Sequence, residues 1–366
     1  MYNTLALSIN QSLVATGGTL SLQSSLSRLD QFNNDGITYY SQPATLSYLQ
    51  PLWTYNSLKW DKKIEPQKFE RAKREYLEAM EAITIKAAQL FFDMFLSKIN
   101  YDISVANYAN TRTMYAIAEQ RFAIGSVKKD ELLQLELRLI NDSLNISTQE
   151  NLYIAQKQSL RSFLGFNETI DIELEAPDSI PVLFLDQAFV IDKAMQNSSF
   201  MLAQEISRLE GEAQIAQAKG NRGITAQINT QFGLSNNAPK FRDSYRHLLD
   251  REVIGLTFSI PIMDWGMGRG RVMMAKAQME TINSQIEQAI IDYRQSISNQ
   301  VLKFNSQRNQ VLLARKANNI SEERYRISMA NFANGVLSVT DLNTAQSEKD
   351  EANRKYIVEL SNYWNY

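Results

Sequence analysis

The chain has 366 residues, 38 Lys and Arg against 40 Asp and Glu, a single histidine (His247) and no cysteine. That composition excludes disulfide scaffolds and thiolate chemistry, leaves a zinc site almost no ligands, and gives no basic footprint for nucleic acid. No run of about 18 apolar residues exists, so helical membrane spans are excluded, whereas membrane strands carry a weaker signal and stay open.

The first residues hold neither a basic stretch nor a long apolar one, so no signal peptide is visible. Alternation starts at once. Leu5, Leu7 and Ile9 alternate with Ala6, Ser8 and Asn10 ahead of a Gly17-Gly18 turn. Leu20, Leu22 and Leu26 alternate with serines and Gln23, and Leu46, Tyr48 and Leu52 share one face before Trp53. A period of two gives one dry and one wet face. The wet face is almost wholly uncharged Ser, Thr, Asn and Gln, and segments of about 9–11 residues are long enough to cross a bilayer when tilted.

Helices of unusual length come next. Neither Pro nor Gly occurs between Pro66 and Gly125, between Gly125 and Gly165, or from Arg271 to Asn334. Gln67 to Ile124 would span about 87 Å and Arg271 to Asn334 about 96 Å at ~1.5 Å per residue, far beyond ordinary globular helices. Leu133, Leu137, Ile140 and Leu144 follow steps of 4, 3 and 4, and Ile286, Ile290, Tyr293, Ile297, Val301 and Phe304 continue the same coiled-coil spacing. Asn167 to Phe184, with Pro177 and Pro181, reads as a compact link, and a helix over 187–219 leads to a second strand pair. There Ile224, Ala226, Ile228, Phe232 and Leu234 alternate with polar residues, as do Ile254, Leu256, Phe258 and Ile260.

The chain is two copies of one plan. A shift of 210 places Leu46 on Leu256, Tyr48 on Phe258, Pro51 on Pro261, Gly125 on Gly335 and Leu132 on Leu342. Two strands per copy would make four per chain, too few to close a barrel. An open edge in lipid leaves backbone groups unsatisfied, so copies would have to share one barrel. Periodicity alone leaves a soluble coiled-coil scaffold with a β-rich head open as the alternative. The segments are 1–55 (first strands), 56–165 (helical hairpin turning at 125), 166–186 (equatorial link), 187–221 (leading helix), 222–264 (second strand pair) and 265–366 (second hairpin, turning at 335).

Three motifs in this order resemble the TolC-type outer-membrane efflux and secretion channels. NFANGVLSVTDLNTAQ (331–346) resembles the pattern at the turn between that family's last two long helices, with RFAIGSVKKDELLQLE (121–136) as its first-copy version. SIPIMDWGMGRGRVMMAKAQ (259–278) resembles the element where a strand hands over to a helix. The resemblance implies an α+β fold, antiparallel strands of a shared trimeric barrel continued by long antiparallel helices. It also implies a passive exit duct rather than an enzyme, in the outer membrane with a long periplasmic extension. The implied partners are two further copies in a homotrimer with twelve strands, a periplasmic adaptor, an inner-membrane transporter and outer-membrane lipid. No cofactor, metal or nucleic acid is implied. Against the family pattern the chain reads as shortened at both ends.

The resemblance also places candidate residues. Asp341, six after the tip glycine, would constrict the tunnel, with Glu131 as its first-copy equivalent, and Thr344 stands where the family has a second acid. Gly125, Ser126, Val127, Gly335, Val336 and Leu337 would form the docking tip. Tyr39, Tyr40, Trp53 and Trp265 would sit at the membrane interface. The glycines at 266, 268 and 270 lack the Lys-Ser/Thr ending of a phosphate loop, and His247, in a polar loop, has no catalytic spacing around it.

Overall fold

The computed structural model describes residues 1–31, 36–167, 170–175 and 180–366. It divides into two compact units, residues 1–75 with 195–292 and residues 76–194 with 293–366.

The first unit holds one antiparallel sheet of five strands in chain order: β1 (Tyr2–Leu13), β2 (Gly18–Gln31), β3 (Gly36–Leu52), β4 (Thr225–Ala238) and β5 (Leu249–Ser259). The expectation of four strands is therefore corrected. The repeat supplies β2–β3 and β4–β5, and β1 is an addition to the first copy that counting by symmetry misses. Three such sheets hold fifteen strands (3 × 5), not twelve. The β1–β2 hairpin closes at Gly17, whose φ of 76° suits glycine, and Thr16 Oγ1 accepts the Gly18 amide at 3.2 Å. Pairing then runs unbroken from Leu13↔Gly18 to Tyr2↔Leu29. In β3 the register shifts between Ser41 and Ala44. The shift absorbs Gln42 and Pro43, and a proline with no N–H to donate belongs at such a bulge.

Two helices of 67 residues each follow the sheet in the two copies, α1 (Ser57–Ala123) and α5 (Met267–Ala333). Their bounds differ by the 210 of the sequence repeat. Helix α1 begins ten residues before the expected Gln67 and contains Pro66. Asn56 sets the earlier start, because its side-chain oxygen accepts the Lys59 amide at 3.2 Å. The hairpin partners are α2 (Lys129–Leu164) and, after the second turn, α6 (Val339–Asn365). The single helix expected over 187–219 is broken into α3 (Gln187–Asn197) and α4 (Ser199–Gly220). The break falls at Ser198, whose backbone is extended (φ −73°, ψ 155°) and whose hydroxyl makes no capping bond. In the sheet-bearing unit the Arg74 guanidinium donates to the carbonyls of Gln196 (2.8 Å) and Ser198 (3.1 Å) at that break.

Two apolar clusters form the core of the second unit. One, near the turns, holds Met114, Ala118, Leu132, Leu135, Phe332, Val339 and Leu342. The other holds Phe92, Val311, Leu360 and Tyr363. The link docks on the second cluster. Asn305 clasps the Leu185 amide and carbonyl at 2.9 Å each, and the Tyr363 hydroxyl donates to the Pro181 carbonyl at 2.7 Å. Pro177 lies outside the described residues. Among the described residues no helix is long and apolar enough to cross a membrane.

Candidate functional site: the sheet faces and the helix tips

The strand register assigns every described strand residue to one of two faces. Along one lie Leu5, Leu7, Ile9, Leu20, Leu22, Leu46, Tyr48, Ile228, Phe232, Ile254, Leu256 and Phe258. Leu22, Leu46, Phe232, Ile254, Leu256 and Phe258 are all exposed there. The other face carries mostly Ser, Thr, Asn and Gln: Thr4, Ser8, Asn10, Ser21, Gln23, Ser47, Gln227, Asn229, Gln231 and Thr257. An exposed apolar surface of this extent needs a non-aqueous neighbour, and the polar face needs water. Among the described residues nothing covers the apolar face across its middle. Near the β4–β5 loop, a short 3-10 turn (Phe241–Tyr245) lies against it, held by Ser41 Oγ donating to the Ser244 carbonyl and by Phe241 edge-on to Tyr39.

Of the four expected interface aromatics, Tyr39 belongs to the apolar face and Trp53 and Trp265 stand exposed where strand passes to helix, both with positive φ (59° and 48°). Tyr40 does not belong with them. The bulge sets it on the polar face beside Ser27 and Asn237. There its hydroxyl accepts from Gln42 Nε2 and from Arg251 Nη1, both at 2.9 Å. Tyr40 thus lies on the face opposite to Tyr39. Arg251 was not legible as a site residue, because a DRE triplet at a strand start reads as solvated charge until register separates the three.

The glycine-rich run at the second hand-over is structural. Gly266 adopts φ 82°, and a Cβ on Gly268 would lie 2.8 Å from an Asp264 carboxylate oxygen. The amides of Gly268 and Gly266, at 2.9 and 3.0 Å, hold the Asp264 carboxyl below its ordinary range, aided by Arg222.

At the far end of the long helices the two turns share one geometry. Gly125 N–H donates to Phe122 O and Ser126 N–H to Arg121 O; Gly335 N–H donates to Phe332 O and Val336 N–H to Asn331 O, all at 2.9 Å. Gly125 and Gly335 have φ of 76° and 78°. This paired pattern ends a helix and requires the left-handed residue that glycine supplies. Gly125, Ser126, Gly335 and Val336 are exposed, while Val127 and Leu337 are half-buried, Leu337 against the first core cluster. Asp341 is exposed in the first turn of α6, where its amide donates to Ser338 Oγ at 3.1 Å and its carboxylate accepts from the same hydroxyl at 2.7 Å. Glu131 sits half-buried at the matching point of α2. Thr344 donates its hydroxyl to its own helix at Thr340 O, 3.1 Å.

Beyond the tips a buried polar network joins three helices. Asn107 donates to Asp350 (2.5 Å) and accepts from Gln346 (2.6 Å), and Arg138 donates to Gln346 (3.3 Å). Lys349 lies 3.4 Å from the second Asp350 oxygen and 4.4 Å over the Tyr325 ring. Burial first, and the Asp350 charge second, push the Tyr325 hydroxyl up to about 12, against a smaller opposing pull from Arg138. Among the described residues no cluster of His, Asp and Glu could hold a metal ion.

The family model described as "Outer membrane efflux protein" matches residues 190–363, which is the second copy of the plan. The matched span is just under half of the chain, and over it the chain is similar to that family. The fold agrees over the whole chain. CusC, described in terms of transmembrane channel formation, aligns with TM-score 0.71 at 14% identity, over 100% of this chain and 81% of its own. The Campylobacter jejuni outer membrane channel CmeC aligns with TM-score 0.68 at 14% identity, over 100% and 75%. The outer membrane protein VceC of Vibrio cholerae gives 0.68 at 13% identity, over 100% and 84%. No curated protein matches this chain by sequence.

Proposed function

We propose that this chain is an outer-membrane efflux channel with a periplasmic helical extension, a conduit rather than an enzyme, and that three copies assemble into one exit duct serving a tripartite efflux pump or a type I secretion system. The observation that carries the assembly is the open sheet. Among the described residues its two edges, β1 and β5, have no partner strand, and unpaired strand edges in lipid cost several kcal/mol per backbone group. Neighbouring copies remove that cost by pairing edge to edge, so the polar faces line water and the apolar faces meet outer-membrane lipid. In the helical part, three-fold symmetry brings three Asp341 carboxylates around one axis, where like charges favour cations, with Glu131 and Thr344 flanking that constriction. Gly125, Ser126, Val127, Gly335, Val336 and Leu337 are the contact offered to a periplasmic adaptor, which in turn joins an inner-membrane transporter. Val336, 78% exposed on the turn, is the apolar side chain best placed for it.

The test is direct. Protein extracted from outer membranes in detergent should run at three times the chain mass by light scattering and should give stepwise conductance in planar bilayers. A monomer that stays in solution without detergent and conducts nothing would refute the proposal.

A further inference from the structure

The polar face carries one charged side chain. Among the described strand residues every other position on it is uncharged, and the exception is Arg251 of β5. Its strand neighbours Asp250 and Glu252 fall on the opposite, apolar face together with Arg28 and Asp30, which pair with each other at 2.7 Å. No carboxylate of the sheet therefore shares the face with Arg251.

Its position is built. Arg251 pairs across β4 with Gly233. A Cβ on Gly233 would lie 2.7 Å from Thr45 Oγ1 and 2.8 Å from the Ala44 carbonyl, so only glycine fits there. With no side chain between, the Arg251 guanidinium crosses β4 and donates to Tyr40 Oη on β3 at 2.9 Å. Gln42 Nε2 donates to the same oxygen at 2.9 Å, and Gln42 Oε1 accepts from Ser25 of β2 at 3.0 Å. The chain Ser25–Gln42–Tyr40–Arg251 spans four strands on the polar face. Its partners are neutral, so it fixes the guanidinium without cancelling its charge.

We infer that Arg251 is a selectivity residue of the pore wall, favouring anionic over cationic solutes of equal size. This rests on the reading of the polar face as a water-filled lumen. Coulomb's law in water gives roughly a threefold bias in local ion concentration for one unit charge at ~7 Å, and three copies place three such charges around the lumen. The sign opposes that of Asp341 at the tip, so the barrel and the tip sort ions in opposite senses.

The test is the reversal potential of the full-length channel in a potassium chloride gradient. Arg251→Gln should lower the chloride-to-potassium permeability ratio by about threefold or more, and Arg251→Lys should keep it near the unsubstituted value. If Arg251→Gln does not assemble, Arg251→Cys modified after reconstitution answers the same question, because the chain has no other cysteine. A cationic thiol reagent should then restore the ratio and an anionic one should lower it further. Conducting channels whose ratio is the same for Arg, Gln, Lys and both modified cysteines would overturn the inference while leaving the duct intact. Absence of conductance from the unsubstituted protein would overturn the duct and the inference with it.

Discussion

Helix α2 presents two apolar faces and uses one of them. Leu132 and Leu135 are buried in the first core cluster, at 6% and 0% exposure. Leu133, Leu137, Ile140 and Leu144 form the heptad stripe on the other side, at 48%, 61%, 56% and 65%. Among the described residues that stripe stays exposed. The proposed trimer assigns it to the contact with a neighbouring copy. Fully burying a leucine is worth ~1.5–3 kcal/mol, so covering the 61% of Leu137 that is open contributes about 1–2 kcal/mol per interface. Leu137→Ala forfeits most of that three times per trimer, about 3–5 kcal/mol in all, or roughly two to four powers of ten in the dissociation constant. Leu137→Glu should go further, because it buries a charge. The assay is the trimer-to-monomer ratio by mass photometry or sedimentation in detergent over a dilution series. Thermal unfolding followed by circular dichroism on the monomer serves as control and should not move. Trimers that resist dilution equally in all three proteins would refute the assignment of this stripe to an inter-copy contact.

Leu135→Ala, two residues away, should instead destabilise the helical unit itself by ~2–5 kcal/mol through loss of contacts and cavity formation, read as a lower melting temperature in monomer and trimer alike. The Tyr325 hydroxyl is buried with no hydrogen-bond partner and is pushed up to about 12. A raised folded-state value means that its contribution is complete below ~10, the unfolded value, and is lost as pH rises from there through about 12. Urea titrations should show roughly 2–3 kcal/mol of alkaline destabilisation, which Tyr325→Phe removes without a penalty at neutral pH; an unchanged alkaline limb in that variant would contradict it. Asp341→Ala should lower cation preference and raise leak conductance in planar bilayers, and conductance and selectivity equal to the parent would remove its gating role.

Much of the fold is legible because two periodicities of different length never overlap in this chain. Alternation of Leu46, Tyr48 and Leu52 placed them on one face, and register pairs them in that order along β3. The 210-residue shift located both tip glycines and both 67-residue helices, since a glycine required at φ near 77° leaves little choice of residue. Three things were not legible. The number of strands was not, although the Leu5–Ile9 alternation marks β1, because internal symmetry was used for the count and β1 has no counterpart among the described strands of the second copy. The break at Ser198 escaped because a cap inside a polar helical stretch has no apolar signal. The orientation of Tyr40 and the isolation of Arg251 depend on where a bulge falls, and Pro43 hints that a bulge exists without fixing its size. At the tips, Ser338 and Asp341 form a cap that the sequence pattern permits, and the buried Asn107–Gln346–Asp350 network depends on contacts more than 200 residues apart.

The two faces of the sheet can be tested one residue at a time, because a single introduced cysteine is the only thiol in the chain. Outer-membrane vesicles carrying variants along β2 and β4 would be treated with a membrane-impermeant maleimide and labelling scored by position. Ser21, Gln23, Gln227, Asn229 and Gln231 should react, whereas Leu20, Leu22, Ile228 and Phe232 should stay protected until detergent is added. A period of two across both strands is the predicted result, and equal labelling of both faces in intact membranes would contradict it.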